Sequence, residues 1–319
     1  MITSRSRHLV DPQLLPFLRC LPVLELSAQT LAQARLAMTN PGPPLDLSQS
    51  VTTIRCSATG LAGAPDVGVV MHRPDAMASP IPAIAHMHGG GYVMGSPHAE
   101  VYRHRQIASD LGCCIISVDY RLAPETAFPG AIEDCFSVLV WLFGNAGALG
   151  VDPARIGVMG ESAGAGLAAA LALLARDRGL PALAFQHLIY PMLDDRTGWH
   201  GDPHPFVGEF LWTPHNNRFG WRALLGEQCA GPDVSPYAAV ARARDLAGLP
   251  PAFIATGALD LFLEEDLEYA RRLARAGVAV ELHVYPGAFH GFDYAPDADV
   301  AAQALRDSRA ALARSMGTA

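Results

Sequence analysis

The chain has 319 residues, half of them hydrophobic, enough to bury one large α/β core or two modest ones. Its 31 acidic and 23 basic side chains give a formal charge of -8 with no long run of one sign, which argues against a nucleic-acid partner. Cys20, Cys56, Cys113, Cys114, Cys135 and Cys229 form no C-x-x-C pair, and the adjacent Cys113 and Cys114 would face opposite sides of a strand, so a zinc or disulfide framework is not expected.

The leading segment "MITSRSRHLVDPQLLPFLRCLPVLEL" is apolar in part, but Asp11, Pro12, Pro16, Arg19 and Pro22 interrupt it and no small-residue cleavage site follows. No window supplies the roughly 18 uninterrupted apolar residues of a membrane span, and a cytoplasmic location is expected. Strand-like runs then alternate with segments of helical length and period. "VGVVMHR" and "AIAHMH" precede a helix at 99–111, "CCIISVDY" precedes one at 131–145, and "RIGVMG" one at 163–178. "AFQHLIY" and "AFIATG" lead to a helix at 265–276, and "VAVELHVY" to one at 299–314. The alternation predicts a mostly parallel sheet covered on both faces, with ligands at the carboxyl ends of its strands. Residues 1 to about 45 and 194 to about 230 break the pattern, and both are expected to fold over that carboxyl edge as a cap on a single domain.

The strongest chemical signal is Gly160-Glu161-Ser162-Ala163-Gly164, a G-x-S-x-G between a strand-like run and an Ala/Leu-rich helix. A serine at such a turn is held in a strained backbone with its Oγ exposed, against the alternative that Ser162 merely caps the helix. "HGGG" upstream favours the nucleophile. Attack on an ester carbonyl creates an oxyanion, and bare glycines would let the N–H groups of Gly89 and Gly90, with that of Ala163, turn toward it. His88, Gly91 and Glu161 are then supporting residues. His86 and His88 make an H-x-H, but no further ligand cluster follows, so no metal is expected.

A serine nucleophile needs a histidine base and a carboxylate to orient it. Among twelve histidines, His290 in "YPGAFHGF" lies in a glycine-bracketed loop after the last strand-like run, whereas His283 lies inside that run. Asp260 in "ATGALDLFLEED" sits just past another strand, while Glu264, Glu265 and Asp266 read as first-turn acids complementing a helix dipole. The order Ser162, Asp260, His290 is that of α/β-hydrolases.

With "HMHGGGYVMGS", "VDYRLAPETAFPGAIEDC", "GESAGAGLAAA", "GALD" and "FHGF" in this order, the chain from about residue 65 onward resembles the hormone-sensitive-lipase-like esterases, bacterial esterase family IV. The resemblance implies the α/β-hydrolase fold, a triad of Ser162, Asp260 and His290, an oxyanion hole from Gly89, Gly90 and Ala163, a helical cap, and no metal or organic cofactor. Two departures stand out. Asp260 is followed by "LFLEED" where the family commonly has a Pro-Leu-Arg-Asp-Glu run, and Glu161 stands where many members have Asp. Tyr120, Arg121 and Glu125 of "YRLAPE" read as a buried brace beneath the glycine loop.

The expected partner is a small-molecule ester, hydrolysed through an acyl-enzyme. Tyr92, Phe210, Trp212 and Phe289 are candidate substrate contacts whose aromatic walls suit an aryl or alkyl ester, and the resemblance suggests short acyl chains. Two alternatives remain open: an amidase, arylformamidase or long-chain lipase using the same triad, and a non-catalytic small-molecule receptor on the same fold. "VAVELHVY" is a candidate edge strand through which two copies could pair as a homodimer.

Overall fold

A computed structural model of the protein describes residues 4–38, 46–76, 80–199 and 203–318. Residues 1–3, 39–45 and 200–202 of the two expected cap segments, His200 among them, lie outside the described residues. Eight strands form one sheet: β1 (Val51–Ala58), β2 (Val67–Pro74), β3 (Ile81–Met87), β4 (Cys114–Asp119), β5 (Val151–Glu161), β6 (Gln186–Ile189), β7 (Ala252–Gly257) and β8 (Val280–Tyr285). Their spatial order is β1-β2-β4-β3-β5-β6-β7-β8. β1 and β2 pair antiparallel, as do β2 and β4, and every other pair is parallel.

The parallel centre explains why β3 and β7 read as largely apolar runs, since both faces of each are buried. The sequence reading has seven strands and lacks β1. In "VTTIRCSA" only the two end residues are buried, so no alternation of apolar and polar side chains marks it, and pairing with β2 alone creates it. β8 is the outer strand of the sheet, as expected from the sequence, with Leu282 and Val284 exposed.

Helices cover both faces: α3 (Val101–Leu111), α4 (Gly130–Leu149), α5 (Ala163–Asp177), α7 (Leu263–Arg275) and α8 (Asp299–Met316). Among the described residues α4 is the one helix long and apolar enough to cross a membrane, and it packs instead against α5 and the sheet. Two short helices, α1 (Leu15–Cys20) and α2 (Leu31–Ala37), precede β1, and α6 (Pro214–Leu225) lies in the segment between β6 and β7. Thr213 caps α6 by accepting from the Asn216 N–H, with Pro214 at the first helical position.

Side-chain bonds tie the N-terminal segment to the one between β6 and β7. Asn216 accepts from the Leu26 N–H at 2.9 Å and donates to the Leu24 carbonyl at 2.9 Å. Glu209 accepts from the Arg5 and Ser6 amides and from the Ser4 and Ser6 hydroxyls. Burial opposes its charge, but these hydrogen bonds outweigh burial and pull its pKa down to about 2.

The fold also carries an acid-sensitive group. His187 on β6 stacks on Phe253 with ring centroids 4.4 Å apart, and burial pushes its pKa down to about 3. The unfolded chain binds this proton near the ordinary value of about 6.5, so the stabilisation is present above that pH and is lost as the pH falls toward 3. Between pH 7 and pH 4.5, His187→Gln is therefore expected to lose about 2–3 kcal/mol less stability than the unmodified protein. Urea titrations at the two pH values measure this, and equal losses would refute it.

Candidate active site

β5 ends at Glu161 and α5 begins at Ala163, so Ser162 alone makes the turn between them, with φ 56 and ψ -122. A residue with a side chain holds that left-handed backbone only when its surroundings enforce it. Here the Ser162 amide donates to the Ile189 carbonyl at 2.9 Å, and its carbonyl accepts from the Gly166 and Met192 amides, each at 3.0 Å. Close approach requires the flanking Gly164: a Cβ there would run into the Met87 and His88 carbonyls. The Ser162 hydroxyl makes no capping bond to α5 and lies 3.0 Å from His290 Nε2.

His290 sits in the loop after β8, where Gly291 adopts φ 74. Its Nδ1 lies 2.8 Å from Asp260 Oδ2. Asp260 is fully buried in the connection from β7 to α7, and its Oδ1 accepts from the Phe262 N–H at 3.0 Å. Three aromatic side chains hold the imidazole in place: Tyr190 with ring centroids 4.5 Å away, Phe262 edge-on at 5.3 Å and Trp212 at 6.2 Å. Tyr190 and Phe262 are not among the residues singled out from the sequence. Tyr190 reads as the last residue of an ordinary strand and Phe262 as part of the "LFLEED" departure.

The glycine turn after β3 stands opposite Ser162. A side-chain carbon at Gly89 would lie 3.6 Å from Ser162 Cβ, and Gly90 has φ 122. Gly91 faces the indole of Trp212, which a Cβ there would strike. His88 Nδ1 donates to the Gly89 carbonyl at 2.8 Å, with its ring stacked 4.2 Å from Tyr120, whose hydroxyl donates to the His88 carbonyl at 2.7 Å. Burial pushes the His88 pKa down to about 4, so the ring braces the turn in its neutral form. The H-x-H pair does not converge on a common point: His86 bonds Glu161 through Nε2 and Ser117 through Nδ1, each at 2.9 Å. Ser117, His86 and Glu161 thereby bridge the carboxyl ends of β4, β3 and β5.

The expected brace under the glycine loop holds for Tyr120 only. Arg121 pairs with Asp134 and is partly exposed, and Glu125 is exposed and pairs with Arg35 of α2 at 2.7 Å. Arg35 also donates to the Val93 carbonyl at 2.7 Å, so "YRLAPE" serves to anchor the N-terminal segment. Glu264, Glu265 and Asp266 do open α7, but two of them are buried. The Glu265 carboxyl accepts from the Leu193 and Asp194 amides and from the Thr197 hydroxyl, fastening the chain after β6, and burial holds its pKa well above the usual range. Among the aromatic candidates, Trp212 alone meets both the glycine turn and His290. Tyr92 is buried against Trp221 with its hydroxyl on the Met192 carbonyl, and Phe289 is buried between Phe17 and Phe210.

Comparison with known proteins identifies the family. Residues 84–294 match the family described as alpha/beta hydrolase fold, Abhydrolase_3. The chain is 34% identical over 319 residues to carboxylesterase NlhH of Mycobacterium tuberculosis, covering 98% of each chain. It is 36% identical over 222 residues to ethyl acetate hydrolase of Pseudomonas putida, covering 66% of this chain and 65% of that one. The crystal structure of a bacterial heroin esterase superposes with a TM-score of 0.89 at 39% identity, covering 97% of this chain and 98% of the other. Fold, motif order and relatives agree: the chain belongs to the hormone-sensitive-lipase-like esterases of the alpha/beta hydrolase fold and is a carboxylic-ester hydrolase.

Proposed function

We propose that the protein hydrolyses short-acyl carboxylic esters through an acyl-enzyme on Ser162. The observation that carries this reading is one line of hydrogen-bonding distances, Ser162 Oγ to His290 Nε2 at 3.0 Å and His290 Nδ1 to Asp260 Oδ2 at 2.8 Å, beside a glycine turn. In the first step Ser162 Oγ attacks the ester carbonyl while His290 Nε2 takes its proton. The imidazolium so formed is stabilised by Asp260, which also holds Nδ1 as the donor and leaves Nε2 free to accept.

The carbonyl oxygen becomes an anion, stabilised by the N–H groups of Gly89, Gly90 and Ala163. Ala163 is the first residue of α5, so its N–H has no partner within the helix and lies at the positive end of the dipole. His290 then protonates the departing alcohol. Water repeats the sequence against the acyl-enzyme, with His290 again acting as base, and the carboxylic acid leaves.

The N-terminal segment and the segment around α6 act as a cap that brings Trp212 over the glycine turn. A rigid indole at that point limits the room for the acyl chain, which favours acetyl and other short groups. The relatives named for ethyl acetate and heroin support an ester substrate of this kind. Turnover of p-nitrophenyl acetate, butyrate, octanoate and laurate beside p-nitroacetanilide tests the reading. The expected result is a fall in kcat/KM of about tenfold or more from butyrate to laurate, with the anilide slower still. Faster anilide turnover would establish the amidase alternative, and a folded protein that turns over none of them and resists stoichiometric organophosphate labelling would establish the receptor.

A further inference from the structure

Asp260 and Ser162 account for the two nitrogens of His290 but not for what holds the plane of its ring. Of the three aromatic rings around it, Tyr190 lies nearest, and its own conformation is unusual. It follows β6 with φ 37, a left-handed backbone that a bulky aromatic residue adopts only under constraint. The constraint comes from both ends: its amide donates to the Ala255 carbonyl at 2.6 Å, and its hydroxyl donates to Asp293 Oδ1 at 2.8 Å. Asp293 belongs to the same loop as His290, and its other oxygen pairs with Arg103 of α3 at 2.5 Å. The Arg103 guanidinium is fixed in turn over the Tyr294 ring, 4.7 Å from its centroid, and Tyr294 donates to Glu100 at 2.8 Å. Arg103 and Asp293 border a small, partly open pocket of about 40 Å³ that Glu161, His187 and Ser308 also line.

We infer that Tyr190, backed by the Arg103–Asp293 pair, is a positioning residue for His290, with Arg103 offsetting the charge of Asp293. The inference rests on the triad reading above and extends it. Asp260 already sets one carboxylate against His290, and a second, unpaired charge on Asp293 would further favour the imidazolium, which cannot accept the Ser162 proton; Arg103 offsets that second charge. The charged and titratable groups of this network are Asp260 at Nδ1 of His290, Tyr190 just after β6 against its ring, Asp293 and Tyr294 from its own loop, Arg103 of α3 with Glu100 just before that helix, and Glu161 at the end of β5, which shares a pocket with Arg103 and Asp293. Arg103 is the sole cation in this set.

Three variants test the inference on p-nitrophenyl acetate. Tyr190→Phe keeps the ring and removes the hydroxyl bond, and it is expected to lower kcat about five- to tenfold with KM within about twofold. Arg103→Met leaves Asp293 unpaired, so the acid limb of the kcat/KM profile is expected to move to higher pH by about half a unit or more. Adding Asp293→Asn to Arg103→Met is expected to move it back, which a purely structural role would not do. Should Arg103→Met fail to fold by circular dichroism, Tyr190→Phe still decides. Wild-type kcat in Tyr190→Phe, or an acid limb that stays in place in a folded Arg103→Met, would overturn the inference. Ser162→Ala, assayed alongside, separates the two readings: full activity there removes the triad itself, whereas its inactivity with an unaltered Tyr190→Phe removes only the role of Tyr190.

Discussion

Replacing Ser162 by alanine is expected to lower kcat for p-nitrophenyl acetate by about 10⁴-fold or more, with little effect on folding. The loss is that large because no neighbouring group can substitute. His290 Nε2 is aimed at Ser162 Oγ and its other nitrogen is held by Asp260, so among the described residues no second hydroxyl is hydrogen-bonded to the base. What remains is water acting beside the glycine turn. Folding should survive because the Ser162 hydroxyl makes no capping bond to α5, and the turn is held by backbone bonds to Ile189, Gly166 and Met192 that alanine keeps. Activity assays with the purified variant check the first statement and thermal unfolding the second. Retention of even a tenth of the activity would mean that another residue carries the acyl group.

Asp260→Asn is expected to cost about as much, roughly 10⁴-fold in kcat, although it changes only one atom. The reason lies in the Phe262 N–H, which donates to Asp260 Oδ1 at 3.0 Å. An asparagine must place its carbonyl oxygen there, which turns its NH₂ toward His290 Nδ1. A donor at that position forces Nδ1 to become the acceptor and puts the ring proton on Nε2, facing Ser162, where the imidazole can no longer take a proton. The KM should change little, because Asp260 is fully buried and does not border the substrate. A variant with near-normal kcat would show that Asp260 does not control the tautomer. A large rise in KM at normal kcat would point to a role in shaping the pocket.

The proposed nucleophile, base and acid were legible as candidates because each lies in a short motif whose local structure follows from its composition. Gly160-Glu161-Ser162-Ala163-Gly164 needs a strand before it and a helix after it, and both can be recognised within a few residues. Other residues packed around those groups were not legible. Tyr190 looks like the end of a buried strand, and only the structure shows its φ of 37 and its hydroxyl on Asp293. Glu265 looks like a solvent-facing helix acid, yet it is buried because the chain after β6 needs acceptors for its amides. β1 escaped for a related reason: an exposed edge strand needs no apolar alternation, and its identity depends on its neighbour.

By itself the sequence determined the fold class, the order of seven of the strands and of the five helices that cover the sheet, and the candidates for nucleophile, base and acid. These depend on interactions between residues near one another in the chain, such as helical periodicity, bare glycines at tight turns and apolar runs. Tertiary structure decided whether those groups meet. Ser162 and His290 are 128 positions apart and Asp260 and His290 are 30 apart, and the parallel strands β5, β7 and β8 bring all three to one edge because those strands end on the same side. It also decided which buried charges accompany them, since the pairing of Arg103 with Asp293 spans 190 positions and depends on how α3 packs against the loop after β8.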